Sequence, residues 1–497
     1  MTNAAYTSLE THFAQQSALS GAVSILHWDA AVMMPESAAE VRGGQLAALQ
    51  QAIHENITDP RVGEWLDKAE GKAANLDDWQ RANLHEMRRQ WVHSTALDVR
   101  LVREQAIATS ACEAFWRGAR RDNDFKGFVP YLKRVLSLVR EEAQAKSAAL
   151  NLQPYDALMD GYDSGTRMAE VDALFARLDA ELPVLREKVM TLQDAELKSN
   201  PVKGHYPTEK QKQISDRLMR ALGFHGRLDV SVHPFCGGVP GDVRITTRYD
   251  ETDVVEALQG VLHETGHALY EQNLPIRWRN QPVGRARGMS THESQSLFVE
   301  MQLCRSREFL RFAAPVLADI LGATPDADLS AENLYRHGIR VNPGFIRVSA
   351  DEVCYPSHVI LRYELEKALI AGELQVEDLP EAWNAKMQAK LGITPPDDRR
   401  GVLQDIHWSG GSFGYFPTYT LGAMMAAQWG NTLRKDIPDW GAQAERGEFS
   451  AIIDWLKRNV HEKASSRTRQ ELLKEATGEP LNADIYLKHL HDRYLSL

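Results

Sequence analysis

The feature that most limits the fold of this chain is a helical spacing of apolar residues through most of its length. From the N-terminus to about residue 195, apolar side chains recur at every third or fourth position with charges between them, as at 128–139 and 171–185. The same spacing resumes at Asp253 and continues, between short loops, to the C-terminus. No repeat of fixed period accompanies it, which argues against a solenoid. The sequence therefore predicts a mainly α-helical protein whose apolar stripes form the core.

One central stretch has the pattern of a β-sheet instead. Residues 228–232 and 243–247 alternate β-branched with polar side chains, and the glycine-rich segment 237–241 separates them. We expect a small antiparallel sheet there. A polar segment at 199–208, with two prolines and one glycine, precedes it and marks the clearest boundary in the chain.

The chain of 497 residues is long enough to bury an ample core. We expect a single unit, 1–497, whose character changes twice along the sequence. The predicted regions are N-terminal helices at 1–198, a central region with the sheet at 199–432, and C-terminal helices at 433–497.

The charge of the chain argues against two classes of partner. Lys and Arg number 57 against 68 Asp and Glu, for a formal net charge of -11, and such a surface repels nucleic-acid phosphates and anionic lipid. The N-terminus lacks the basic and apolar segments of a secretory signal, and no uninterrupted apolar run of about 18 residues follows. Four cysteines, far apart and without a C-x-x-C pair, are expected to be reduced thiols. We therefore expect a cytoplasmic protein that binds neither nucleic acid nor membrane.

The sharpest local signal is the five-residue motif His263-Glu-Thr-Gly-His267. Asp253, with Glu256 three residues later, resembles a helix cap, so the motif should lie on a helix that begins just after Asp253. Two histidines four residues apart share one face of a helix, so both rings can bind one metal ion. Glu264 lies about 100° around the helix, where its carboxylate can take a proton from a water molecule. The motif therefore predicts metal-assisted hydrolysis.

A catalytic zinc ion needs a third protein ligand and leaves a fourth position for water. Glu293, on a second predicted helix, is the favoured candidate. The longer motif that ends in a third histidine is excluded, because Tyr270 replaces its glycine and Asn273 its histidine. His292 is the other candidate, but neighbouring residues on a helix point about 100° apart, so only one of the two can face the ion. We expect His292 to support a ligand or to face the substrate.

With Glu293 in place, the sequence resembles the carboxypeptidase Taq family of zinc metallocarboxypeptidases at more than the metal motif. The family's further signatures appear in order as HPF at 233–235, DVRIT at 242–246, HESQ at 292–295, IRVSAD at 346–351 and GVLQDIHW at 401–408. HWD at 27–29 and MP at 34–35 are also similar to the family, so the resemblance covers essentially the whole chain.

The resemblance implies a large helical peptidase fold with a deep central groove, similar to neurolysin and angiotensin-converting enzyme. The small sheet would lie near the active site, and the region 1–198 would form part of the groove wall. The resemblance also implies a homodimer that removes single residues from the free C-terminus of peptides with broad preference. One zinc ion per chain, or cobalt in its place, would be held by His263, His267 and Glu293. Glu264 would act as general base and then as general acid.

The resemblance extends to residues that would contact the substrate. His407 and Tyr415 each carry an N–H or O–H that can stabilise the tetrahedral oxyanion, and the glycines of 410–414 would let their loop bend close to the substrate. We also expect the strand at 243–247 to hold the substrate backbone by edge addition.

A carboxypeptidase must recognise a free carboxylate, and a guanidinium group does so through two parallel hydrogen bonds. Arg347 is the first candidate and Arg244 the second, and Tyr419 is a further candidate for contact with the substrate. The alternative for each arginine is an internal ion pair, with Asp351 for Arg347 and with Asp242 for Arg244.

Two alternative functions remain open. An endopeptidase or an aminopeptidase would use the same metal motif, and peptides with free and with amidated C-termini separate these from a carboxypeptidase. A non-catalytic helical peptide-binding protein would be expected to lack the glutamate of the motif, yet Glu264 is present.

Overall fold

The fold consists of α-helices and three short β-strands in the part of the chain that a computed structural model describes, residues 3–197, 199, 202, 204–322 and 328–496. The helices are Ala4–Val32 (α1), Ala39–Ile57 (α2), Pro60–Glu70 (α3), Asp78–Thr95 (α4), Val99–Asp122 (α5), Phe125–Leu150 (α6), Pro154–Tyr162 (α7), Met168–Glu196 (α8), Thr208–Ala221 (α9), Val254–Gln272 (α10), Gly288–Leu297 (α11), Arg307–Leu321 (α12), Ala331–Gly338 (α13), Tyr355–Ala371 (α14), Leu379–Leu391 (α15), Pro417–Asp436 (α16), Trp440–Glu445 (α17), Ser450–Asn459 (α18), Arg469–Thr477 (α19) and Ala483–Leu495 (α20). The strands are Arg227–Val230 (β1), Cys236–Val239 (β2) and Asp242–Thr247 (β3). The prediction of a mainly helical protein with one small sheet is confirmed.

The chain divides into two compact units, each assembled from three separate stretches. The first unit comprises Met1–Ser94, Ser199–Gly338 and Met425–Leu481, and the second comprises Thr95–Lys198, Ile339–Met424 and Asn482–Leu497. In the predicted boundary segment 199–208, residues 200, 201 and 203 lie outside the described residues. The groove that the family resemblance implies stays a prediction.

The N-terminal helices of the first unit form a continuous apolar core. Asn3 caps α1, because its side chain accepts a hydrogen bond from the backbone N–H of Tyr6. Asp59 caps α3 in the same way, and Pro60 occupies the first helical position, where its missing N–H costs nothing. The buried residues of this core come from α1 to α4 and include Tyr6, Leu9, Phe13, Val62, Leu66, Leu84 and Met87.

The sheet belongs to the first unit and has the strand order β1-β3-β2. β1 pairs with β3 parallel, so the expected antiparallel pairing of these two strands is wrong. The antiparallel partner of β3 is β2, which was not predicted as a strand. The sheet is mixed because most of β2 comes from the segment 237–241, which we expected to be a turn. β2 pairs with β3 on the side opposite β1. The central strand β3 is hydrogen-bonded on both sides and has no free edge. The expectation that 243–247 binds substrate backbone by edge addition is therefore wrong.

In the second unit, α5 and α6 pack along their length. Asn123, in the left-handed conformation with φ 59°, ends α5, and Asp124 caps α6 by accepting from the N–H of Gly127 at 2.8 Å. The predicted stripe on α6 is largely buried, at Phe128, Leu132, Val135, Leu136 and Val139. Tyr131 was expected in this stripe but is 37% exposed, where it stacks on Phe115 at 4.4 Å between ring centroids.

The last helix, α20, is anchored in the second unit by a buried carboxylate. Glu352 is 4% exposed and accepts hydrogen bonds from Arg493 Nη1 at 2.9 Å and from Tyr494 Oη at 3.0 Å. Tyr486 Oη donates to the backbone carbonyl of the same residue at 3.2 Å. Because a buried carboxylate is stable only when such donors compensate it, α20 and the segment around Glu352 hold each other in place.

The cysteines are free thiols, as predicted, with Cys112, Cys304 and Cys354 buried and Cys236 half-buried. Burial raises the pKa of each of these thiols, which keeps them in the neutral form. Among the described residues, no helix combines the length and the apolar character needed to cross a bilayer.

Candidate metal centre

The two histidines of the predicted motif lie on α10, in the first unit. Asp253 caps this helix as predicted, because its carboxylate accepts from the backbone N–H groups of Val255 at 2.9 Å and Glu256 at 3.0 Å. His263 and His267 are one turn apart, and their ring centroids are separated by 5.0 Å. The local sequence thus folds so that both imidazoles lie on one face.

Glu293 lies on α11 and meets the two histidines. Its Oε2 atom is 3.5 Å from His267 Nε2. One ligand atom from each of His263, His267 and Glu293 lies within 4.8 Å of the others. Two imidazole nitrogens and one carboxylate oxygen form the donor set of a catalytic zinc site, which keeps a fourth position open. The structure therefore brings the three predicted ligands together.

The glycine of the motif allows α10 and α11 to approach closely. A methyl group at Gly266 would overlap the backbone carbonyl of Gln295 and lie 2.6 Å from Ser296 Cα. Any larger residue at this position would therefore push α11 away from α10. The position of Glu293 relative to the two histidines depends on this contact.

The Nδ1 atom of His263 forms a hydrogen bond with a carboxylate. Glu300, on the π-helical segment Phe298–Cys304 that follows α11, places Oε2 2.8 Å from His263 Nδ1, and Arg305 Nη2 lies 2.8 Å from its other oxygen. This contact leaves Nε2 of His263 for an ion. Although burial alone would lower the pKa of His263, the hydrogen bond with Glu300 and the charge of Glu293 raise it to about 10. A metal ion would therefore displace a proton from this ring.

The Nδ1 atom of His267 forms a hydrogen bond with a third histidine, His292. His267 Nδ1 lies 2.6 Å from His292 Nδ1, and His292 Nε2 lies 2.8 Å from Glu271 Oε1. One arrangement of protons satisfies both contacts: His267 donates to His292, and His292 donates to Glu271. His292 thus contacts His267, which agrees with one of the two roles expected for it, the support of a ligand. Burial lowers the pKa of His267 to about 4, so the ring is neutral and its Nε2 atom can bind an ion.

Glu264 directly follows His263 on α10 and has an uncommitted oxygen. The side chain is buried, with 7% exposure, and its Oε2 atom has no hydrogen-bond partner among the described residues. Burial raises the pKa of its carboxyl group to about 7. A group in this range can accept and return a proton near neutral pH, as a general base and acid must.

Arg347, the first candidate for binding the substrate carboxylate, lies in the second unit. Arg347 is 5% exposed, and its Nε and Nη2 atoms donate to Asp405 Oδ1 at 3.1 and 2.9 Å. Arg362, fully buried, donates through Nε to the other oxygen of Asp405 at 2.7 Å. The internal partner of Arg347 is thus Asp405. Asp351, the partner considered from sequence, instead accepts from backbone N–H groups such as that of Cys354.

Three further predicted residues surround this arginine pair. His407 Nε2 lies 3.1 Å from Tyr419 Oη, and the His407 and Tyr415 ring centroids are 5.6 Å apart. The guanidinium carbon of Arg347 lies 4.8 Å from the centroid of the Tyr419 ring. Burial lowers the pKa of His407 to about 4, so its ring is neutral at pH 7. Arg347, His407, Tyr415 and Tyr419 therefore form one cluster in the second unit.

Arg244 lies apart from that cluster, on β3 of the first unit. Its Nε atom donates to Asp242 Oδ1 at 2.9 Å, which is the internal pair considered from sequence. Its guanidinium carbon lies 5.7 Å from the ring centroid of Trp28, which is buried and packs on Phe235. The HWD and HPF signatures of the sequence thus meet the DVRIT signature at this arginine.

Sequence reasoning missed the groups that orient the ligands. Glu300 follows Glu293 by seven residues, a spacing that returns to the same face of a helix and could have identified it. Glu271 follows His267 by four residues, which is the same signal at shorter range. The pairing of Arg347 with Asp405 joins distant segments and left no such signal.

The family comparison agrees with these features. The profile of the family described as carboxypeptidase Taq (M32) metallopeptidase matches residues 8–494. Thermostable carboxypeptidase 1 of Thermus thermophilus is 39% identical over 99% of this chain and 99% of its own length. Carboxypeptidase 1 of Bacillus subtilis is 36% identical over 96% of this chain and 95% of its own.

A solved structure gives the same result. Metallocarboxypeptidase 1 of Trypanosoma cruzi has a TM-score of 0.97 and 41% sequence identity. The likeness covers 99% of this chain and 100% of that one. Sequence and backbone therefore agree over nearly the entire length.

The contact at Gly266 yields a test of the helix approach. We expect Gly266→Ala to lower the free energy of unfolding by about 1–3 kcal/mol, because the methyl group overpacks the contact between α10 and α11. Metal affinity should fall as well, since Glu293 moves with α11. The matched control is Gly260→Ala on the same helix, where a methyl group would lie 3.9 Å from Thr247 Oγ1. Urea unfolding and zinc titration of both variants measure the difference, and equal values for the two would contradict the role of Gly266.

The outer contact of His263 yields a second test. Glu300→Gln should weaken zinc binding by about 10- to 100-fold, because the amide no longer supplies the negative charge that orients the ring. Competition with a chelator of known affinity measures this change. Glu256→Gln, whose side chain on α10 is 68% exposed, serves as the control and should bind zinc like the parent protein. A Glu300→Gln protein with parental zinc affinity would refute the role of this carboxylate.

Proposed function

Because the chain belongs to the carboxypeptidase Taq family of metallopeptidases, we propose that it is a zinc-dependent carboxypeptidase that removes single residues from the C-terminus of peptides. Membership of the family makes the protein a metallocarboxypeptidase. The identity of the metal, the mechanism and the roles of individual residues are the parts that we propose.

The observation that carries the proposal is the combination of a three-atom donor set with an uncommitted carboxylate beside it. His263, His267 and Glu293 present two nitrogens and one oxygen within 4.8 Å of one another. The Nδ1 atoms of both histidines are already hydrogen-bonded, which orients their Nε2 atoms for a metal. These donors fit zinc better than calcium or magnesium, which prefer oxygen ligands. Cobalt accepts the same donor set and would be a substitute.

A bound zinc ion would supply Lewis acidity, which polarises the scissile carbonyl and acidifies water. Glu264 takes the proton from the attacking water molecule and then passes it to the amine that leaves. Its buried position supports this role, because a carboxylate with few hydrogen bonds is a stronger base than one exposed to water.

We propose that His407 and Tyr415 stabilise the oxyanion that forms at the scissile carbonyl. The neutral His407 ring carries one N–H, and Tyr415 carries one O–H, so each can donate a hydrogen bond without losing a charge. The packing of both rings in one cluster supports a joint role.

We propose that Arg347 binds the free carboxylate of the substrate, with Tyr419 beside it, and that Arg244 is the second candidate. Arg347 and Arg362 share the single carboxylate of Asp405, so these three side chains carry one net positive charge. A guanidinium group binds anionic ligands through charge-assisted hydrogen bonds, and the C-terminal carboxylate of a peptide provides such a ligand. Broad side-chain preference, a cytoplasmic location and a homodimer stay predictions from the family resemblance.

Substitution of the proposed base tests the mechanism. Glu264→Gln should reduce kcat by at least about 100-fold, because the amide cannot accept the proton of the attacking water. The variant should retain one zinc ion per chain, since Glu264 is not among the three ligands. Elemental analysis and release of free amino acids from a peptide measure both properties. Substantial turnover by the zinc-loaded variant would exclude Glu264 as the base.

Amidation of the substrate tests the exopeptidase assignment. We expect a peptide with a free C-terminus to be shortened one residue at a time and the amidated peptide to remain intact, as mass spectrometry of the products would record.

Arg347→Ala should lower kcat/KM for the free acid by about 10- to 100-fold, mainly through KM, because a charge-assisted contact is lost. The control is Arg340→Ala, whose side chain is 42% exposed and pairs with Asp194. Equal trimming of both peptides would favour an endopeptidase or aminopeptidase. An unchanged kcat/KM for the free acid in Arg347→Ala would exclude this arginine from binding the substrate carboxylate.

A further inference from the structure

The segment 407–415, called here the His407–Tyr415 loop, begins and ends at the two proposed oxyanion donors. Gly411 and Gly414 have φ angles of 75° and 87°, which favour glycine. On one side, Gly410, Gly411 and Phe413 border a cavity of about 350 Å³ formed with residues of α5, α6 and α7. The loop is therefore rich in glycine and borders open space at these residues, so contacts elsewhere are needed to fix its ends.

Glu366 on α14 makes that contact. The side chain is fully buried, at 0% exposure. Its Oε1 atom accepts from Trp408 Nε1 at 2.8 Å, and its Oε2 atom accepts from the backbone N–H of Gly414 at 2.9 Å. Trp408 follows His407 directly, and Gly414 directly precedes Tyr415. One carboxylate thus holds both ends of the loop, each next to a proposed catalytic side chain.

The surroundings of the carboxylate leave few other positions for the loop. A methyl group at Gly414 would lie 2.9 Å from the backbone nitrogen of Met159, so the backbone here is pressed against α7. The Trp408 ring stacks on Phe413 with 6.0 Å between ring centroids, and the backbone N–H of Ser412 donates to the carbonyl of His407 at 2.9 Å. The loop is closed on itself, and Glu366 attaches it to α14.

The chemistry of the site favours a carboxylate over an amide. Tyr155 Oη is a third donor to Glu366, at 2.6 Å, so two N–H groups and one O–H group point at its oxygens. A carboxylate is an acceptor at both oxygens, whereas a glutamine would place its own N–H₂ against one of these donors. Arg362, one turn earlier on the same helix, supplies a nearby positive charge that favours the ionised form, although burial raises the pKa of Glu366 to about 7.

We infer that Glu366 is a positioning residue that fixes the His407–Tyr415 loop through Trp408 and Gly414 and thereby orients His407 and Tyr415 for hydrolysis. This inference rests on the proposed function of those two side chains. Errors of about 1 Å in the placement of catalytic groups reduce rates by about 100-fold. Loss of the contact should therefore lower kcat more than it changes KM.

Three single variants test the contact. Glu366→Gln and Trp408→Phe should each lower kcat by about 10- to 100-fold and change KM by less than about 3-fold. Trp408→Phe removes the indole N–H and some buried volume but keeps an aromatic ring, so it serves if Glu366→Gln does not fold. Glu364→Gln is the control, because this neighbour on α14 is 30% exposed and pairs with Lys386. It should keep parental kcat. Unchanged kcat in both Glu366→Gln and Trp408→Phe would overturn the inference.

A double-mutant cycle separates positioning from a general loss of structure. In a His407→Ala/Tyr415→Phe background, Glu366→Gln or Trp408→Phe should change kcat by less than about 2-fold, because the groups that they orient are absent. An equal fold-change in both backgrounds would overturn the inference. Failure of the proposed function is distinct from this, since His407→Ala and Tyr415→Phe would then each retain parental kcat in zinc-loaded protein.

Discussion

The close approach of α10 and α11 is the constraint on which the proposed metal centre depends. Two histidines on one helix turn are easily placed, but a third ligand from another helix requires the two backbones to lie nearly in contact. Gly266 makes this approach possible, because its missing side chain leaves room for the carbonyl of Gln295. Gly266 is thus a requirement of the site geometry, as the proposed ligands are.

Largely buried carboxylates that orient nitrogen-containing groups recur through both units. Glu300 fixes the ring of His263, and Asp405 fixes the guanidinium of Arg347. In each case the carboxylate has further donors around it, which compensates the cost of removing its charge from water. Such contacts position the functional side chains more sharply than apolar packing does, because hydrogen bonds specify direction.

The features that were predictable from the sequence are those set by local spacing. The helical period, the cap at Asp253 and the one-turn spacing of His263 and His267 all depend on residues close in the chain. Glu293 was proposed because a metal needs a third ligand, which is a chemical requirement and not a pattern. The parallel pairing of β1 and the partner of Arg347 depend on where distant segments meet, and no local spacing encodes that.

The interleaved course of the chain has a consequence for its biosynthesis. Neither unit is made from contiguous sequence: the first unit takes its last stretch from Met425–Leu481, and the second ends with Asn482–Leu497. On the ribosome, the ligands of the metal centre emerge long before the helices that complete the fold around them. Native assembly of both units must therefore wait until these two stretches have been synthesised, and α20, anchored to Glu352, completes the second unit after the first. A chain that lacked Met425–Leu481 and Asn482–Leu497 would have neither unit complete.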